Sequence, residues 1–546
     1  MFILQNISQY MDYFEKPPPL ALAAVNSHTR ECGERHKEGV LVCNVTSDDD
    51  GVRRVFTVNS SDVVCMERTQ WWIERQRAYP LLLNVLFDGT GSLEDIPAWE
   101  RFSERLSEGD VEHAFALTME HLESLLPFTV LLKRSEAIVL NICPLTTLDA
   151  LWGLELLRKV ELSYCEGSFN FDPLLSCPNL IGVSVESYYG VTSVEVLGGL
   201  RNLREITLRD CNITNVDFLK CCSKLEYADV SDCETLTSLT GLRGLGKLKT
   251  LNASGTAIES IEHLAGCVAL ESVNVRSCVN LTSLAGLSGL EKLKTVEASR
   301  TAIESIEHLV GCVSLEYVDV LWCEKLESLA GLKGLKNLKT VEASRTAIET
   351  TEHLVGCEVL EKVRVECCKN LTSLMGLGGL KNLKTVDASH TPIDSVACLS
   401  GCVALERVGV SGCKNLNSLV GLEGLKNLKT LDTSHTPIDS VACLSGCVAL
   451  ESVTVSGCEH LISLVGLGEL EKLKTVYAGD TAIESIEPLA GCVALERLDV
   501  RYCKFLASLS CLDGLPNLRS LKANDTCVPP DTQLCRCPKL EYLVLE

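Results

Sequence analysis

Cysteine and histidine are the residues of this sequence with the widest chemical range, because their side chains act as nucleophiles and bind metals. The chain has 29 cysteines and 10 histidines among 546 residues. It contains no Cys-x-x-Cys pair, no His-Glu-x-x-His and no phosphate-binding or nucleophile-elbow motif. The densest cysteine group is spread over Cys511, Cys527, Cys535 and Cys537. The sequence therefore predicts no catalytic residue, no cofactor and no metal site, and we expect the protein not to be an enzyme.

A second group of side chains favours binding over catalysis. Trp322 lies 22 residues after Arg300 and 23 residues before Arg345, and Tyr317 and Leu321 closely precede it. Tryptophan, tyrosine and arginine contribute most of the binding energy at protein interfaces. We expect a partner to insert an apolar group beside Trp322 while its basic residues meet nearby carboxylates. The predicted partner-binding residues are Arg300, Tyr317, Asp319, Leu321, Trp322, Glu342 and Arg345.

These side chains are positioned by an internal repeat of 22 and then 23 residues. Each unit begins with a strand pattern, as in Leu315, Val318 and Val320, in which alternate residues share one face. A turn at Cys323 follows, and leucines at every third position after it are typical of short 3-10 turns. A fixed period of this length predicts a solenoid, in which each strand is one rung of a parallel sheet. The leading leucines are Leu203, Leu225, Leu248, Leu270, Leu293, Leu315, Leu338, Leu360, Leu383, Leu405, Leu428, Leu450, Leu473, Leu495, Leu518 and Leu540.

This pattern resembles the leucine-rich repeat family, closest to the short units of phosphatase-regulator and internalin-type proteins. The alternation of two unit lengths is similar to that of trypanosomatid leucine-rich repeat proteins. The resemblance implies an α/β solenoid with a curved parallel sheet on its concave face and short 3-10 turns on its convex face. We expect it to cover residues 135–546 in about 19 units, with a small mixed region before it. The implied function is a scaffold for protein–protein interaction that holds a protein partner on the concave face.

The repeat also assigns a place to most cysteines. Rungs lie about 4.8 Å apart, so equivalent cysteines on alternate rungs lie about 10 Å apart, beyond the roughly 7 Å limit for a disulfide. We therefore expect small buried apolar residues in a reducing compartment, and hence an intracellular protein of the cytoplasm or nucleus. One class follows a strand: Cys143, Cys165, Cys211, Cys233, Cys278, Cys323, Cys368, Cys413, Cys458 and Cys503. The other precedes a leading leucine: Cys177, Cys222, Cys267, Cys312, Cys357, Cys402, Cys447, Cys492 and Cys537.

The charge of the chain argues against two classes of partner. The formal net charge is −23, whereas nucleic acids and anionic membranes are bound by basic surfaces. No apolar run is long enough to span a membrane. On the predicted concave face the fifth residue of many units is acidic, which indicates either an acidic binding stripe or an ordinary solvated surface. These residues are Glu161, Asp229, Glu297, Asp319, Glu342, Asp387, Asp432 and Asp499.

Two segments precede the repeats. Residues 1–45 contain an Ile-x-x-Tyr-Met-Asp segment, three prolines and a Leu-Ala-Leu-Ala-Ala-Val-Asn segment, which together resemble a degenerate F-box. That resemblance implies helices that dock on a Skp-family adaptor, and thus an F-box-type substrate receptor of a cullin ubiquitin ligase. The alternative is a helical pair that caps the solenoid. Residues 46–134 are expected to form a mixed α/β region, with a strand and turn within 51–64 and an amphipathic helix within 109–126 that Asp110 caps.

Overall fold

The computed structural model describes residues 42–48, 51–75, 80–89, 93–165, 170–187 and 194–545. These residues form two compact units. The first comprises the chain up to residue 236 together with 240–248, and the second comprises residues 237–239 and 249 onward. The predicted F-box-like or capping helices lie outside the described residues, except that residues 42–45 belong to a strand.

The first unit joins long strands to helices and short turns. Its strands are β1 (Val42–Asp48), β2 (Gly51–Asn59), β3 (Leu81–Asp88), β4 (His113–Glu120), β5 (Ser135–Asn141), β6 (Lys159–Ser163), β7 (Gly182–Glu186), β8 (Glu205–Arg209) and β9 (Tyr227–Asp229). Its helices are α1 (Val63–Arg75), α2 (Ile96–Glu108), α3 (Thr129–Leu132) and α4 (Asp172–Leu175). Strands β1 and β2 are antiparallel, and β2 to β9 are parallel neighbours in chain order.

The spacing of apolar residues explains why helix α2 forms and which of its faces is buried. Ile96, Trp99, Phe102 and Leu106 are buried along one stripe, as in an amphipathic helix that covers a sheet. The helix ends where the Gly109 N–H donates to the Arg105 carbonyl oxygen at 2.9 Å. The sequence missed this helix, although Pro97 near its start is a typical beginning.

The helix predicted within 109–126 is wrong, because the segment contains strand β4. Phe115, Leu117 and Met119 alternate toward the core and are fully buried. Asp110 has a φ of 60°, which is incompatible with capping a helix there. The apolar residues fit both helical and strand periods, and the pairing of β4 with β3 and β5 selects the strand. The strand and turn predicted within 51–64 are confirmed as β2 followed by a 3-10 turn at Ser60–Asp62.

The second unit is a regular series of three-residue strands. They are β10 (Thr250–Asn252), β11 (Ser272–Asn274), β12 (Thr295–Glu297), β13 (Tyr317–Asp319), β14 (Thr340–Glu342), β15 (Lys362–Arg364), β16 (Thr385–Asp387), β17 (Arg407–Gly409), β18 (Thr430–Asp432), β19 (Ser452–Thr454), β20 (Thr475–Tyr477), β21 (Arg497–Asp499), β22 (Ser520–Lys522) and β23 (Tyr542–Val544). All are parallel, and Val318 in β13 pairs with Val296 in β12 and Val341 in β14. Most of these strands are followed by a short 3-10 turn, such as Ala330–Leu332, so the predicted leucine-rich repeat solenoid is confirmed.

The core of the second unit is built from columns of equivalent side chains. Leu315, Val318, Val320 and Leu329 are fully buried, as are their counterparts on neighbouring rungs. Because each strand has only three residues, it depends on the burial of these columns between adjacent rungs rather than on its own length.

The repeated cysteines are buried, as predicted, but they also act as hydrogen-bond donors. The Cys323 thiol donates to the Ala298 carbonyl oxygen at 3.2 Å, and the Cys312 thiol donates to that of Leu287 at 3.2 Å. Burial raises the pKa of both thiols. Each thiol therefore stays protonated and donates a hydrogen bond to a backbone carbonyl oxygen of the preceding unit. A leucine at the same position could not donate this hydrogen bond, and the carbonyl oxygen would lose its thiol donor.

Candidate functional site

Trp322 occupies a special backbone position in the turn after strand β13, three residues beyond its end. Its φ is 64°, and the equivalent residues on the neighbouring rungs, Arg300 and Arg345, have φ values of 58° and 59°. The N–H of Trp322 donates to the Ser344 carbonyl oxygen at 3.0 Å, and that of Arg300 donates to Leu321 at 2.8 Å. The inter-rung hydrogen bonds thus continue beyond the strands and hold these three side chains in one row. Residues at the same position elsewhere in the unit include Ser277, Cys367, His390, Gly412, His435, Gly457, Asp480, Tyr502 and Asp525.

The predicted stacking of arginine on Trp322 is present on one side of the ring. The guanidinium carbon of Arg345 lies 4.2 Å from the centre of the indole. A contact of this kind contributes about 0.5–1 kcal/mol at an exposed site. Trp322 remains 38% exposed, which confirms that it is a surface residue rather than part of the core.

The other side of the row contains a shallow cavity of about 410 Å³. Its lining is formed by Val279, Arg300, Thr301, Ala302, Trp322, Glu324 and Lys325. Arg300 and Arg345 belong to the rungs on either side of Trp322, so the guanidinium of Arg345 and the cavity flank the indole from opposite directions. The structure therefore brings Arg300, Trp322 and Arg345 together, with an opening beside the tryptophan large enough for one side chain of a partner.

Tyr317 and Leu321 are half-buried beside this row. Burial raises the pKa of the Tyr317 phenol, and the carboxylates of Asp319, Glu342 and Glu297 raise it further. The phenol is therefore neutral at physiological pH, and it offers a ring edge and one hydroxyl to a partner.

Asp319 differs from the prediction of a solvated carboxylate. It is only 5% exposed, and its Oδ1 accepts a hydrogen bond from the backbone N–H of Leu321 at 3.0 Å. A short aspartate side chain reaches the N–H two residues ahead and fixes the turn that follows the strand. Asp319 therefore shapes the chain that carries Trp322 instead of presenting a free charge.

Glu342 also differs from the prediction, because basic side chains of the next rung occupy its carboxylate. Lys362 Nζ lies 2.5 Å from its Oε1, and Arg364 Nε lies 4.0 Å from its Oε2. The side chain of Glu342 is only 15% exposed. A basic group of a partner would have to compete with two cations that already lie beside this carboxylate.

Much of the predicted acidic stripe is engaged in similar ways. Asp387 and Asp432 accept backbone N–H groups from Ser389 and Ser434 at 3.1 and 3.0 Å. In the first unit, Asp229 is 1% exposed and pairs with Arg209 at 2.8 Å. The sequence contained a signal for the first pattern, since aspartate two residues before a serine or leucine at a strand end is typical of a side chain-to-backbone turn.

Neither metal binding nor membrane insertion finds support among the described residues. In that part of the chain, no three His, Cys, Asp or Glu side chains are arranged to hold a metal ion. The helices that the structure describes are all too short or too polar to cross a bilayer.

Comparison with known proteins identifies the class of fold. No family model matches this sequence, and no curated protein matches it. The chain is similar to the solved structure of a leucine-rich repeat protein from Leptospira interrogans, with a TM-score of 0.57 and 15% identity, covering 77% of this chain and 98% of that one. An internalin from Listeria monocytogenes aligns with a TM-score of 0.40 and 16% identity, covering 66% of this chain and 85% of that one. The protein thus has a leucine-rich repeat fold, an assignment that rests on the Leptospira structure and on the regular parallel strands.

Proposed function

We propose that this protein is a non-enzymatic scaffold that binds another protein on the concave face of its repeat solenoid. The docking surface, called here the Trp322 surface, comprises Arg300, Tyr317, Asp319, Leu321, Trp322, Glu342 and Arg345. The observation that carries the proposal is an exposed tryptophan, held by inter-rung backbone hydrogen bonds, with an arginine on one side and a cavity on the other.

Backbone geometry supports a functional role for Trp322. A residue with a β-carbon in the left-handed region is less stable by roughly 1–2 kcal/mol than one in an ordinary conformation. Glycine occupies the same position at Gly412 and Gly457, so the fold does not need a large side chain there. An exposed aromatic residue that the fold does not require is consistent with a role in binding rather than in stability.

The cysteines support the cellular setting of the proposal. Most of their thiols are buried and none is paired in a disulfide among the described residues, an arrangement that suits a reducing, intracellular compartment. The large acidic charge of the chain favours a specific protein partner over nucleic acid.

The experiment is affinity capture with the full chain, followed by titration of the purified captured protein. Trp322→Gly should weaken binding by about 2 kcal/mol or more, roughly thirtyfold, because it removes the central aromatic group. His390→Gly, at the equivalent position of another rung, is the matched control and should leave the affinity unchanged. Equal affinities for wild type and Trp322→Gly would place the interface elsewhere.

The alternative proposed from the sequence is an F-box-type substrate receptor. It rests on the F-box-like segment of residues 1–45, which lies almost wholly outside the described residues. Under this alternative the repeats select the substrate and the N-terminal segment recruits a Skp-family adaptor. Pull-down of a purified Skp-family adaptor by the full chain, and its loss when residues 1–41 are deleted, tests this proposal separately from the Trp322 surface.

A further inference from the structure

The Trp322 surface has an unusual charge distribution for this chain. Many lysines of the second unit are paired with a glutamate of the preceding rung at 2.6–2.9 Å. These lysines are Lys294, Lys339, Lys384, Lys429 and Lys474. By contrast, the guanidinium groups of Arg300 and Arg345 form no ion pair with any residue that the structure describes. Two positive charges on either side of Trp322 are therefore left for a ligand.

The acidic groups nearest to the row do not neutralise these arginines. Asp319 is buried and holds the Leu321 N–H, and Glu342 is held by Lys362 and Arg364. Glu342 is thus already paired with cations of the protein, and the burial of Asp319 limits its contact with a basic partner. Neither carboxylate forms an ion pair with Arg300 or Arg345.

The cavity beside Trp322 combines an apolar lining with charged groups at its rim. Val279 and Ala302 line it together with the indole. At the rim, Glu324 supplies one negative charge, and Lys325 is paired with Glu304 at 3.5 Å. The two arginines that flank Trp322 therefore outnumber the rim carboxylate of Glu324, the one acidic residue in the lining of the cavity.

We infer that the Trp322 surface binds an acidic peptide segment in which an aromatic or aliphatic side chain is flanked by carboxylates. The apolar side chain enters the cavity and packs on the face of the indole opposite Arg345, where the removal of apolar surface from water stabilises the complex. One carboxylate pairs with Arg300 and another reaches Arg345, and arginine binds carboxylates well because its planar group can donate two parallel hydrogen bonds. This inference rests on the proposed function and specifies the chemistry of its partner.

The overall charge of the protein distinguishes specific binding of an acidic peptide from nonspecific attraction. A chain with a net charge of −23 repels acidic peptides in general, so an acidic peptide that binds must find a local positive site. Nonspecific attraction would instead enrich basic peptides.

The experiment is selection of a phage-displayed random peptide library on the immobilised full chain, with peptides that also bind Trp322→Gly removed. We expect the enriched peptides to be acidic with one aromatic or large aliphatic residue. In solution these peptides should bind the full chain at least tenfold more tightly than they bind Trp322→Gly. Charge reversal by Arg300→Glu combined with Arg345→Glu should change the enriched population from acidic to basic. Arg407→Glu combined with Arg497→Glu, which reverses two exposed arginines on β17 and β21, is the charge-matched control and should leave the selection acidic.

The outcomes separate this inference from the proposed function. Enrichment of basic or uncharged peptides, or no enrichment, overturns the acidic-ligand inference. The scaffold proposal stands in that case if the captured protein partner still loses affinity for Trp322→Gly. If acidic peptides are enriched but Arg300→Glu with Arg345→Glu leaves their charge unchanged, the peptides bind elsewhere and the inference is wrong.

Discussion

Two stretches of the second unit have the same backbone but present different surfaces. In the first, Arg300, Trp322 and Arg345 follow consecutive strands, and in the second His390 and Gly412 do so. All five have φ values between 58° and 69°. In the second stretch the imidazole lies over the glycine, because a β-carbon on Gly412 would be 2.3 Å from His390 Nδ1.

This comparison shows that the repeat determines the backbone position of a side chain but not the chemical group that the side chain exposes. Val318 and Val408 are both buried beneath their strands, so the two stretches share the same core. The glycine rung meets the left-handed conformation without strain, whereas the tryptophan rung adopts it at a free-energy cost. The difference between them is therefore one of surface chemistry, and the Trp322 surface is where binding should be sought.

The largest expected effect tests the shared core. Leu329→Ala and its counterpart Leu419→Ala should each lower the free energy of unfolding by roughly 2–5 kcal/mol, because both leucines are buried. Hydrogen exchange should show the loss of protection concentrated in neighbouring rungs, since contacts in a solenoid are between neighbours. A marked difference between the two variants in denaturant titrations would mean that the two stretches do not share one core.

A smaller effect is expected when the tryptophan is moved to the glycine rung. Gly412→Trp should destabilise the protein by about 1–3 kcal/mol, from left-handed strain and from the clash with His390. With His390→Gly in the background, only the strain should remain. Measurement of all four proteins by chemical denaturation gives the coupling between the two sites, and zero coupling would show that the imidazole does not lie over Gly412.

The smallest effect on stability is expected at the docking surface itself. Trp322→Gly relieves left-handed strain but loses the contact with Arg345, and these contributions of about 1 kcal/mol each oppose one another. The melting temperature should change by only a few degrees. A large decrease would show that Trp322 contributes to the core, and its role in binding would then need another test.

The sequence predicted most of the fold but only part of the site, and this difference has a physical explanation. Columns such as Val318 and Val341 repeat at a fixed interval, so stacking and burial follow directly from the period. The neighbours of Trp322 were predicted for the same reason. Segments without a repeat, such as β4, have no second copy with which the helical and the strand spacing of apolar residues could be distinguished.

The charge distribution of the Trp322 surface could not be predicted from the repeat period. Whether Asp319 faces water or turns back to the Leu321 N–H depends on a side-chain torsion that periodicity does not specify. The pairing of Glu342 with Lys362 crosses between rungs at a spacing that is not the repeat period. Local hydrogen bonds and ion pairs therefore engage carboxylates that the sequence suggested were free, without changing the fold.

The most direct test of the central claim is ¹⁹F NMR of the full chain labelled with 5-fluorotryptophan. The protein has five tryptophans, and Trp322→Gly assigns the resonance of interest. Trp152, which is 55% exposed in the first unit, provides an internal control for a surface indole. On titration with a selected acidic peptide, the Trp322 resonance should shift in a saturable manner while that of Trp152 stays fixed. A saturable shift confined to another tryptophan, or binding that leaves the Trp322 resonance unchanged, would contradict the account.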